Sequence, residues 1–398
     1  MNQRLILLTM TGPDRPGIIA AVAGQIAEAG ARIRDIEQTV THTLLSLSIV
    51  IDFPTGESDN KPLIKELLYL AKETGLDLDF SVIGEADYRR KSSRDAHVVT
   101  MMGGEVNALA IARVGKILAE HGVNIERVSK LNQGDLRCVE LLVTAPAELD
   151  MRTINRQLLN AGANLGVDIA VQRENLYRRA KRLVVMDMDS TLIQIEVIDE
   201  LARIAGVGAQ VEQITERAMN GELDFPAALR ERVALLQGLS AAALEEVYRN
   251  IPFTPGAKTL VRVLKRLGFK TAVISGGFSY FADRIKDDLD LDYAYANELE
   301  IVDGVVTGRV IGQVVDGGRK ADLLEEIAAK EGVTLDQAIA IGDGANDLPM
   351  LGKAGLGIAF NAKARVREEA DYHINQQRLD SILYLLGISE REMAEICA

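Results

Sequence analysis

Cysteine and histidine are both scarce in this sequence. The only two cysteines, Cys138 and Cys397, lie far apart, and none of the four histidines stands at a metal-ligand spacing from another. These counts exclude a disulfide framework and a cysteine-rich metal site, and they fit a reducing compartment. Long apolar runs are also missing, since no stretch approaches a membrane span and the run Leu5–Leu8 is too short for the apolar region of a signal peptide. We therefore expect a cytoplasmic protein with no membrane partner.

Basic residues and prolines are in the minority as well. The 45 lysines and arginines are outnumbered by 58 acidic residues, which gives a net charge of −13 without a basic stripe. A nucleic-acid partner is therefore excluded. With 9 prolines, 34 glycines and 47% hydrophobic residues, the chain is expected to fold into a globular structure. At roughly 100 to 200 residues per domain, 398 residues predict two or three domains.

An internal repeat with an offset of 92 residues occupies the N-terminal part of the chain. Gly12 aligns with Gly104, and Gly30 aligns with Gly122. In each copy an apolar strand precedes a stretch of helical periodicity that ends at a capping glycine, and two alternating strands, a second helix and a last strand follow. The sequence therefore predicts two ferredoxin-like βαββαβ domains.

Two basic stretches, Arg89–Arg94 and Arg178–Arg182, separate the predicted domains. Neither has interleaved aromatic residues, so we interpret both as solvated linkers in preference to binding patches. They set the predicted domains at residues 1–88, 95–173 and 181–398.

From residue 183 onward, short buried strands alternate with helices, which predicts a Rossmann-like parallel sheet in an α/β domain. The helical segment at about 196–250, between the first two strands, is too long for a simple crossover, and we interpret it as an inserted cap. The pair Asp303-Gly304 between two apolar runs predicts a hairpin. The predicted strands of the sheet are Leu183–Met186, Thr271–Ile274, Ala338–Ile341 and Leu356–Phe360.

Two carboxylates, Asp187 and Asp189, follow the first of these strands. In open α/β sheets the reactive groups lie just past the carboxyl ends of the strands. A capping aspartate explains one of the two carboxylates but not the pair, because burying both is costly unless a cation or a chemical task compensates.

The third strand is followed by Gly342–Asp347, which contains two aspartates and an asparagine. These are hard oxygen ligands of the kind that Mg²⁺ prefers, so a metal site is favoured over a generic Asp-Gly turn. After the second strand, Ser275-Gly276-Gly277 offers a hydroxyl and unobstructed backbone N–H groups to a phosphate oxygen. Lys320 is a candidate for the fixed cation that a dianionic phosphoryl group needs. Taken alone, the turn Ser275–Gly277 is typical of an ordinary loop, and Lys320 is typical of a surface charge.

Taken together, these elements resemble the four motifs of the haloacid-dehalogenase-type (HAD-like) phosphatases. The resemblance continues into the cap, where the sequence is similar to the phosphoserine phosphatase family, and it covers essentially residues 183–385. The matching segments are Asp187–Thr191, Ser275–Gly277, Lys320 and Gly342–Asp347 for the motifs, and Glu196–Glu200, Ala218–Gly221 and Asp224–Val233 for the cap.

This resemblance implies Mg²⁺-dependent hydrolysis of L-phosphoserine to L-serine, the last step of serine biosynthesis. It implies Asp187 as the nucleophile that forms an aspartyl-phosphate, and Asp189 as the general acid and base. The other implied roles are Mg²⁺ binding by Asp187, the backbone carbonyl of Asp189 and Asp343, phosphate binding by Ser275, Gly276 and Lys320, and support of the substrate, metal and lysine by Asn346 and Asp347.

Substrate selection is expected in the cap. Glu196 is placed to meet an ammonium group and Arg232 to bind a carboxylate in bidentate fashion. The alternative is a surface ion pair between two helices, which the extension of the resemblance into the cap disfavours. Met219 and Phe225 are interpreted mainly as core or cap-closing apolar residues.

The duplicated N-terminal unit resembles ACT domains, small modules that bind amino acids at interfaces. The glycine turn Gly12–Gly17 precedes a helix whose N–H groups are open to a carboxylate, so Gly12, Asp14 and Gly104 are candidate effector-binding residues. The second copy lacks the Asp-Arg-Pro-Gly of the first. We expect the pair either to form a homodimer and sense serine or to serve only as a packing platform.

Two other functions remain open. A phosphotransferase would pass the phosphoryl group to another hydroxyl amino acid through the same aspartyl-phosphate, and the sequence does not separate water from such an acceptor. A serine-sensing regulatory protein with an inactive phosphatase domain is disfavoured, because a retired site has no physical reason to keep the charges of Asp187, Asp189, Lys320 and Asp343.

Overall fold

The computed structural model of the chain describes residues 5–53, 61–85, 88, 95–135, 137–370 and 372–397, with only the backbone at positions 152, 364 and 365. The chain forms two compact units, residues 1–94 and 95–398. The basic stretch Arg89–Arg94 lies outside the described residues.

The first unit is a four-stranded antiparallel sheet with two helices in the predicted βαββαβ order. Its strands lie in the order β2-β3-β1-β4. Ile18, Val22 and Ile26 recur at helical spacing and are buried in the core against the sheet. Gly30, at φ +68°, follows the first helix as the predicted capping glycine. The elements are β1 (Leu5–Pro13), α1 (Ile18–Glu28), β2 (Arg32–Thr41), β3 (Leu44–Asp52), α2 (Lys61–Thr74) and β4 (Asp77–Ile83).

The second copy repeats this topology at the start of the second unit. Its sheet has the order β6-β7-β5-β8. The two copies differ where their first helices begin, because the side chain of Asn107 accepts a hydrogen bond from the N–H of Ala110, whereas α1 begins after Gly17 without a side-chain cap. The elements are β5 (Asp95–Gly103), α3 (Ala108–Glu120), β6 (Asn124–Lys130), β7 (Cys138–Ala145), α4 (Met151–Leu165) and β8 (Val167–Arg173).

The remainder of the second unit is built on a seven-stranded sheet. Its order is β12-β11-β10-β9-β13-β14-β15, and the strand pairs are parallel except for the antiparallel pair of β11 and β12. The four predicted strands are confirmed as β9, β10, β13 and β14. The strands are β9 (Leu183–Met186), β10 (Lys270–Phe278), β11 (Tyr293–Val302), β12 (Val305–Ile311), β13 (Ala338–Gly342), β14 (Leu356–Phe360) and β15 (Tyr372–Ile374).

Helices cover this sheet, and four of them lie in the segment between β9 and β10 where the sequence predicts a cap. The hairpin between β11 and β12 turns at Asp303 (φ +49°) and Gly304 (φ +77°), as predicted. The helices are α5 (Leu176–Arg179), α6 (Val197–Ala205), α7 (Gly208–Met219), α8 (Phe225–Ala234), α9 (Ala241–Arg249), α10 (Ala257–Arg266), α11 (Ser279–Leu289), α12 (Gly317–Glu331), α13 (Leu348–Lys353), α14 (Ala364–Glu369) and α15 (Glu390–Cys397), of which α6–α9 form the cap.

The second βαββαβ domain packs against the C-terminal part of the chain. Met102, Cys138 and Ala170 from its sheet belong to the same core cluster as Leu385 and Met393. Because these side chains are apolar and share one core, the two parts of the second unit fold against each other.

The interpretation of Arg178–Arg182 as a solvated linker was wrong for two of its side chains. Arg178 is 3% exposed and pairs with Glu140 and Glu174, and Lys181 is 4% exposed and donates to the carbonyl of Asp336. The segment runs through the packed region between the second domain and the large sheet, and its charges are satisfied there. Among the described residues, no helix has both the length and the apolar character to cross a membrane.

Candidate active site

The first site loop leaves β9 at Asp187, the first predicted catalytic residue. Asp187 is 5% exposed, and its Oδ1 accepts a hydrogen bond from the N–H of Met188 at 2.8 Å. Ser190 has a left-handed backbone, with φ at +56°, which turns the chain sharply after Asp189. Thr191 follows and donates from Oγ1 to Oδ1 of Asp343 at 3.0 Å. The loop is thereby tied to the loop that follows β13.

Lys320 is fully buried between two carboxylates. Its Nζ lies 2.8 Å from Oδ1 of Asp187 and 2.7 Å from Oδ1 of Asp347. Burial alone lowers the pKa of this lysine, but the charges of the two aspartates outweigh it and raise the pKa above its usual value. Lys320 is therefore a permanent cation in the site.

The position of Lys320 depends on a close approach between α12 and the loop after β13. A Cβ on Gly317 would come within 2.8 Å of the backbone oxygen of Asn346, so only glycine fits at the start of α12. The side chain of Asp316 caps this helix by accepting from the N–H of Arg319 at 2.8 Å. Local sequence thus places the lysine on the first turn of a helix that is pressed against the acidic loop.

Three carboxylates, those of Asp187, Asp343 and Asp347, form one cluster. Each offers an oxygen, and these oxygens all lie within 4.8 Å of one another. Oδ2 of Asp347 accepts from the backbone N–H groups of Asp343 and Gly344 at 3.2 and 2.9 Å, which fixes its orientation. Burial, followed by the charge of Asp347, raises the pKa of Asp343 to about 7.

This donor set fits a divalent cation such as Mg²⁺. Three buried or half-buried carboxylates beside a single lysine leave excess negative charge, and oxygen ligands are those that Mg²⁺ takes. The cluster contains Asp347, for which the resemblance implied a role in supporting the metal and the lysine rather than in binding the metal directly. The side chain of Asp189 is not part of the cluster, in keeping with its predicted metal contact being a backbone carbonyl; that contact stays a prediction.

Asp189, the second predicted catalytic residue, faces the cap and the loop after β10. Its Oδ1 accepts from the N–H of Val197 at 2.9 Å, and its Oδ2 accepts from Oγ of Ser275 at 3.3 Å. Burial, followed by the nearby charge of Glu196, raises the pKa of Asp189 to about 7. Asp187 and Asp189 therefore stand in different surroundings, since only Asp187 touches Lys320.

The loop Ser275–Gly277 is closely packed, and the N–H of Gly277 is engaged within the loop, although the sequence predicts that it is free. Oγ of Ser275 accepts from the N–H of Gly277 at 2.8 Å. A Cβ on Gly277 would come within 2.6 Å of Oδ2 of Asp189, and one on Gly276 within 2.8 Å of the ring of Phe225. Glycine at both positions lets the loop lie against Asp189 and the cap at the same time.

Asn297 is a site residue that sequence reasoning missed. It is 1% exposed, donates from Nδ2 to the carbonyl of Gly276 at 2.8 Å, and accepts at Oδ1 from the N–H of Val315 at 2.8 Å. It thus ties the phosphate loop to the segment that leads into α12 and Lys320. The available signal was a lone asparagine after the run Tyr293–Ala296, but β11 was not among the predicted strands of the sheet.

The cap brings Glu196 and Arg232, its two predicted substrate-binding residues, near Asp189. Oε1 of Glu196 accepts from Oγ of Ser190 at 2.8 Å. Arg232 donates from Nε to the carbonyl of Ala228 at 3.3 Å, and its remaining N–H groups make no hydrogen bond with any residue that the structure describes. Burial lowers the pKa of this arginine, opposed by the facing carboxylates of Asp199, Glu196 and Asp189.

The other predicted residues differ in how the structure places them. Oδ1 of Asn346 lies over Gly344, where a Cβ would come within 2.2 Å of it. Phe225 packs over Gly276, as its interpretation as a cap-closing residue requires. Met219 is 65% exposed at the end of α7, so it is not a core residue, and its interpretation as a cap-closing residue stays a prediction.

The three candidate effector residues lie at the strand–helix junctions of the two small domains. A Cβ on Gly12 would come within 2.8 Å of the carbonyl oxygen of Gly75, so this glycine is required for packing inside its own domain. The backbone N–H of Asp14 donates to the carbonyl of Thr43 at 2.9 Å, and Gly104 is exposed. Their role in binding an effector stays a prediction.

Known proteins resemble this chain in each of its parts. Residues 184–352 match the haloacid dehalogenase-like hydrolase family, and residues 4–81 and 95–172 each match an ACT domain family. The phosphoserine phosphatase of Streptomyces coelicolor is 44% identical over 98% of this chain and 93% of its own length. Phosphoserine phosphatase SerB2 of Mycobacterium tuberculosis is 40% identical over 98% of this chain and 94% of its own length.

A solved structure agrees with the sequence relatives. The HAD family hydrolase of Salmonella enterica serovar Typhi superimposes with a TM-score of 0.64 at 34% identity, and the match covers 73% of this chain and 98% of that one. The sequence relatives match over nearly their whole length and this structure shares the fold, so the similarity extends well beyond the short motifs. The chain belongs to the phosphoserine phosphatases, with an HAD-like hydrolase domain that follows two ACT domains.

Proposed function

We propose that this protein hydrolyses L-phosphoserine to L-serine and phosphate through an aspartyl-phosphate formed on Asp187, with Mg²⁺ as its cofactor. The single observation that carries the mechanism is the buried contact between Asp187 and Lys320, beside Asp189 in separate surroundings. It supplies an ionised carboxylate, a permanent cation and a second carboxyl group that can hold a proton.

Asp187 is the nucleophile in this mechanism. Its Oδ1 is held by Lys320 and by the N–H of Met188, so we assign the attack on phosphorus to Oδ2. Burial and the neighbouring aspartates raise the pKa of Asp187, whereas Lys320 opposes the rise and favours the ionised, nucleophilic form. The bond from phosphorus to the serine oxygen breaks as the bond to Oδ2 forms.

Asp189 donates the proton that the serine oxygen needs on leaving. A pKa raised to about 7 keeps a large fraction of this carboxyl protonated near neutral pH, which suits a general acid. After serine leaves, the ionised Asp189 takes a proton from the water that attacks phosphorus. The bond between phosphorus and Oδ2 of Asp187 then breaks, which frees the carboxylate and yields inorganic phosphate.

Asp187, Asp343 and the backbone carbonyl of Asp189 would hold Mg²⁺, which would supply the positive charge that lets a carboxylate approach a phosphate dianion. Lys320, the hydroxyl of Ser275 and the N–H of Gly276 bind the remaining phosphoryl oxygens. Asn346 and Asp347 support this arrangement from the loop after β13.

Glu196 and Arg232 select the amino-acid part of the substrate. The carboxylate of Glu196 binds the ammonium group, and the unengaged N–H groups of Arg232 bind the carboxylate in a bidentate contact. Both residues lie in or next to the cap, so the amino acid is recognised when the cap covers the catalytic loops.

The test is release of phosphate from L-phosphoserine with Mg²⁺, with a chelator, and with Asp187→Asn. We expect activity only with the metal and with the wild-type residue, and a labelled phosphoenzyme that the variant does not form. The exposed Asp322 provides the matched control, since Asp322→Asn should keep activity. Turnover by Asp187→Asn would contradict the covalent mechanism.

Neither alternative function is favoured. The charged residues of the site are all present, and Lys320 pairs with Asp187 and Asp347, which argues against an inactive domain. A phosphotransferase would release less phosphate than serine from L-phosphoserine when an acceptor alcohol is present, so the ratio of the two products separates it from a phosphatase.

The ACT pair forms a homodimer and binds serine as an effector in our proposal. Its support is the ACT resemblance itself, together with the uncapped start of α1 after Gly17. The cytoplasmic location and the domain limits at residues 88, 95, 173 and 181 remain predictions.

A further inference from the structure

The cap is joined to the catalytic sheet by two chain segments that lie side by side. Ile193 on the way out and Phe253 on the way back form an antiparallel bridge, and the N–H of Gln194 donates to the carbonyl of Pro252 at 2.9 Å. Oγ1 of Thr254 donates to the carbonyl of Thr191 at 2.7 Å. We call residues 192–195 and 252–256 the cap hinge. Movement of the cap relative to β9 and β10 bends these residues. The cap is also held at β12, where the N–H of Gly238 donates to the carbonyl of Val306 at 2.9 Å.

A third segment, Asn375–Asp380, packs on the cap hinge from the side of β15. The N–H of Leu379 donates to the carbonyl of Pro255 at 2.8 Å. Gly256, at φ +83°, touches Asp380 so closely that a Cβ there would come within 2.5 Å of its Oδ1. The position of the hinge therefore depends on the position of this segment.

The same segment borders a cavity beside the catalytic loop. The cavity has a volume of about 400 Å³ and is lined by Ser190, Gln194 and Thr254 on one side and by Phe360, Asn361 and Gln377 on the other. Such space leaves the hinge room to move where it is not held. The contact with residues 375–380 is one restraint on the hinge at this side of the cap.

Asp168 of the second ACT domain holds this segment. Its Oδ2 accepts from the N–H of Asn375 and from Nε2 of Gln376, both at 2.7 Å, and its Oδ1 accepts from Nδ2 of Asn375 at 3.0 Å. Asp168 is 8% exposed, and no lysine or arginine that the structure describes forms an ion pair with it. A buried carboxylate is costly unless its lone pairs are satisfied, and here the segment satisfies them.

The segment is in turn tied to the edge of the active site. Nδ2 of Asn361 donates to the carbonyl of Gln376 at 2.9 Å, and Asn361 has a left-handed backbone with φ at +47° at the end of β14. Asp168 thus holds one end of the segment, and three residues further along the chain Leu379 binds the cap hinge.

We propose that Asp168 is a positioning residue for phosphoserine hydrolysis, which anchors residues 375–380 and through them the cap hinge. The second ACT domain thereby restricts cap movement without binding a ligand. The inference goes beyond the proposed function and relies on it in one respect, because the cap residues Glu196 and Arg232 are taken to recognise the amino acid.

The experiment compares Asp168→Ala and Asp168→Asn with wild type in the full-length protein. Hydrogen–deuterium exchange at the backbone N–H groups of Phe253, Thr254 and Gly256 and of residues 375–380 should be faster in Asp168→Ala by about tenfold, the effect of losing roughly one buried charged hydrogen bond. Asp168→Asn keeps one acceptor oxygen, so its exchange rate should lie between those of wild type and Asp168→Ala. In Asp95→Asn, a change to an exposed aspartate of the same domain, exchange should match wild type.

Steady-state kinetics provide the second measurement. KM for L-phosphoserine should rise about tenfold in Asp168→Ala, whereas kcat/KM for p-nitrophenyl phosphate, which has no ammonium or carboxylate group, should change less than about twofold. Gln376→Leu removes a single hydrogen bond to Asp168 and should reproduce a smaller part of both effects. It keeps the proposal testable if the Asp168 variants fold poorly.

Unchanged exchange at the hinge in Asp168→Ala and Gln376→Leu would overturn the proposal. So would faster exchange spread over the whole large sheet, or an equal loss with both substrates, because each indicates general destabilisation. A failure of the proposed function is recognised separately, as wild-type protein that does not hydrolyse L-phosphoserine, and the exchange measurement still decides the role of Asp168 in that case.

Discussion

Lys320 and Asp187 form a fully buried ion pair, with Nζ 2.8 Å from Oδ1. The lysine comes from the first turn of α12 and the aspartate from the end of β9, and Asp347 binds the same Nζ at 2.7 Å. A lone buried carboxylate would take up a proton and lose its nucleophilic character. The lysine therefore favours an ionised aspartate in a buried site.

Replacing Lys320 with methionine should abolish activity and destabilise the protein. The substitution leaves two buried carboxylates without their cation, which costs about 3 kcal/mol in the free energy of unfolding. It also removes the cation that we propose binds phosphate, with an expected loss of about a thousandfold in kcat. Denaturant unfolding and phosphate release measure the two effects.

Lys353→Met is the matched control for this prediction. Lys353 is partly exposed and pairs with Glu325 on the surface, so its loss should cost less than about 1 kcal/mol and leave kcat unchanged. Equal losses in the two variants would contradict the role given to Lys320.

The stability of the metal-free protein should decrease as the pH rises toward neutrality. Burial and nearby carboxylates raise the pKa of Asp189 and of Asp343 to about 7, above the value of about 3.9 in an unfolded chain. Each group therefore contributes stability that is present at low pH and is lost as the pH rises through about 7. The contribution of these two groups should make the melting temperature, measured in a chelator, lower at about pH 8 than at about pH 5.5.

Mg²⁺ should reverse this loss, because the metal binds the ionised carboxylates. The increase in melting temperature on adding Mg²⁺ should be larger at about pH 8 than at about pH 5.5, where protons compete with the metal. Asp343→Asn should reduce both the pH dependence and the response to the metal. An equal response of the wild type at both pH values would count against metal binding by this cluster.

Arg232→Lys should weaken the recognition of the amino acid. Lysine keeps the charge but cannot form a bidentate contact, so KM for L-phosphoserine should rise about tenfold to a hundredfold. Hydrolysis of p-nitrophenyl phosphate should stay within about twofold of wild type, because that substrate has no carboxylate. Arg230→Lys, a change to the exposed arginine on the same helix, controls for the substitution itself. A similar effect on both substrates would place Arg232 outside the amino-acid site.

A chain that begins at Asp95 should fold and retain hydrolysis, but it should lose the proposed dimer and any response to serine. The first unit has a core of its own, including Leu8, Leu47 and Leu67. A chain that begins after residue 175 should instead be unstable, because Leu385 and Met393 share a core with Met102 and Cys138. Size-exclusion chromatography and activity with added serine test the first chain, and a dimer that survives the deletion would contradict the role given to the first ACT domain.

Much of the active site could be predicted because its residues stand at strand ends. Asp187, Ser275 and Asp343 each follow an apolar run that is too short and too continuous for anything but a buried parallel strand. Parallel strands in one sheet bring their carboxyl ends to a single edge, so the three loops meet irrespective of their distance along the chain. The pairing of β9 with both β10 and β13 accounts for this convergence.

Other parts of the site could not be predicted, because they depend on contacts between side chains and distant backbone groups. Asn297 binds the carbonyl of Gly276 and the N–H of Val315, and neither contact has a spacing pattern in the sequence. The burial of Arg178 could not be foreseen either, since a basic stretch is ordinarily solvated. It is buried here because Glu140 comes within reach only after the second ACT domain has packed against the C-terminal segment.

The sequence by itself determined the repeated small domains, the order of the strands along the chain and the four motifs of the phosphatase site. These are local properties, set by hydrophobic periodicity, turn residues and the chemistry of side chains at strand ends. The tertiary structure decided which carboxylates share the cluster, how Lys320 is shielded from water, and how Asp168 holds the segment beside the cap hinge. Those relationships arise from packing between elements that are distant in sequence, where burial and hydrogen-bond geometry, rather than periodicity, determine which groups meet.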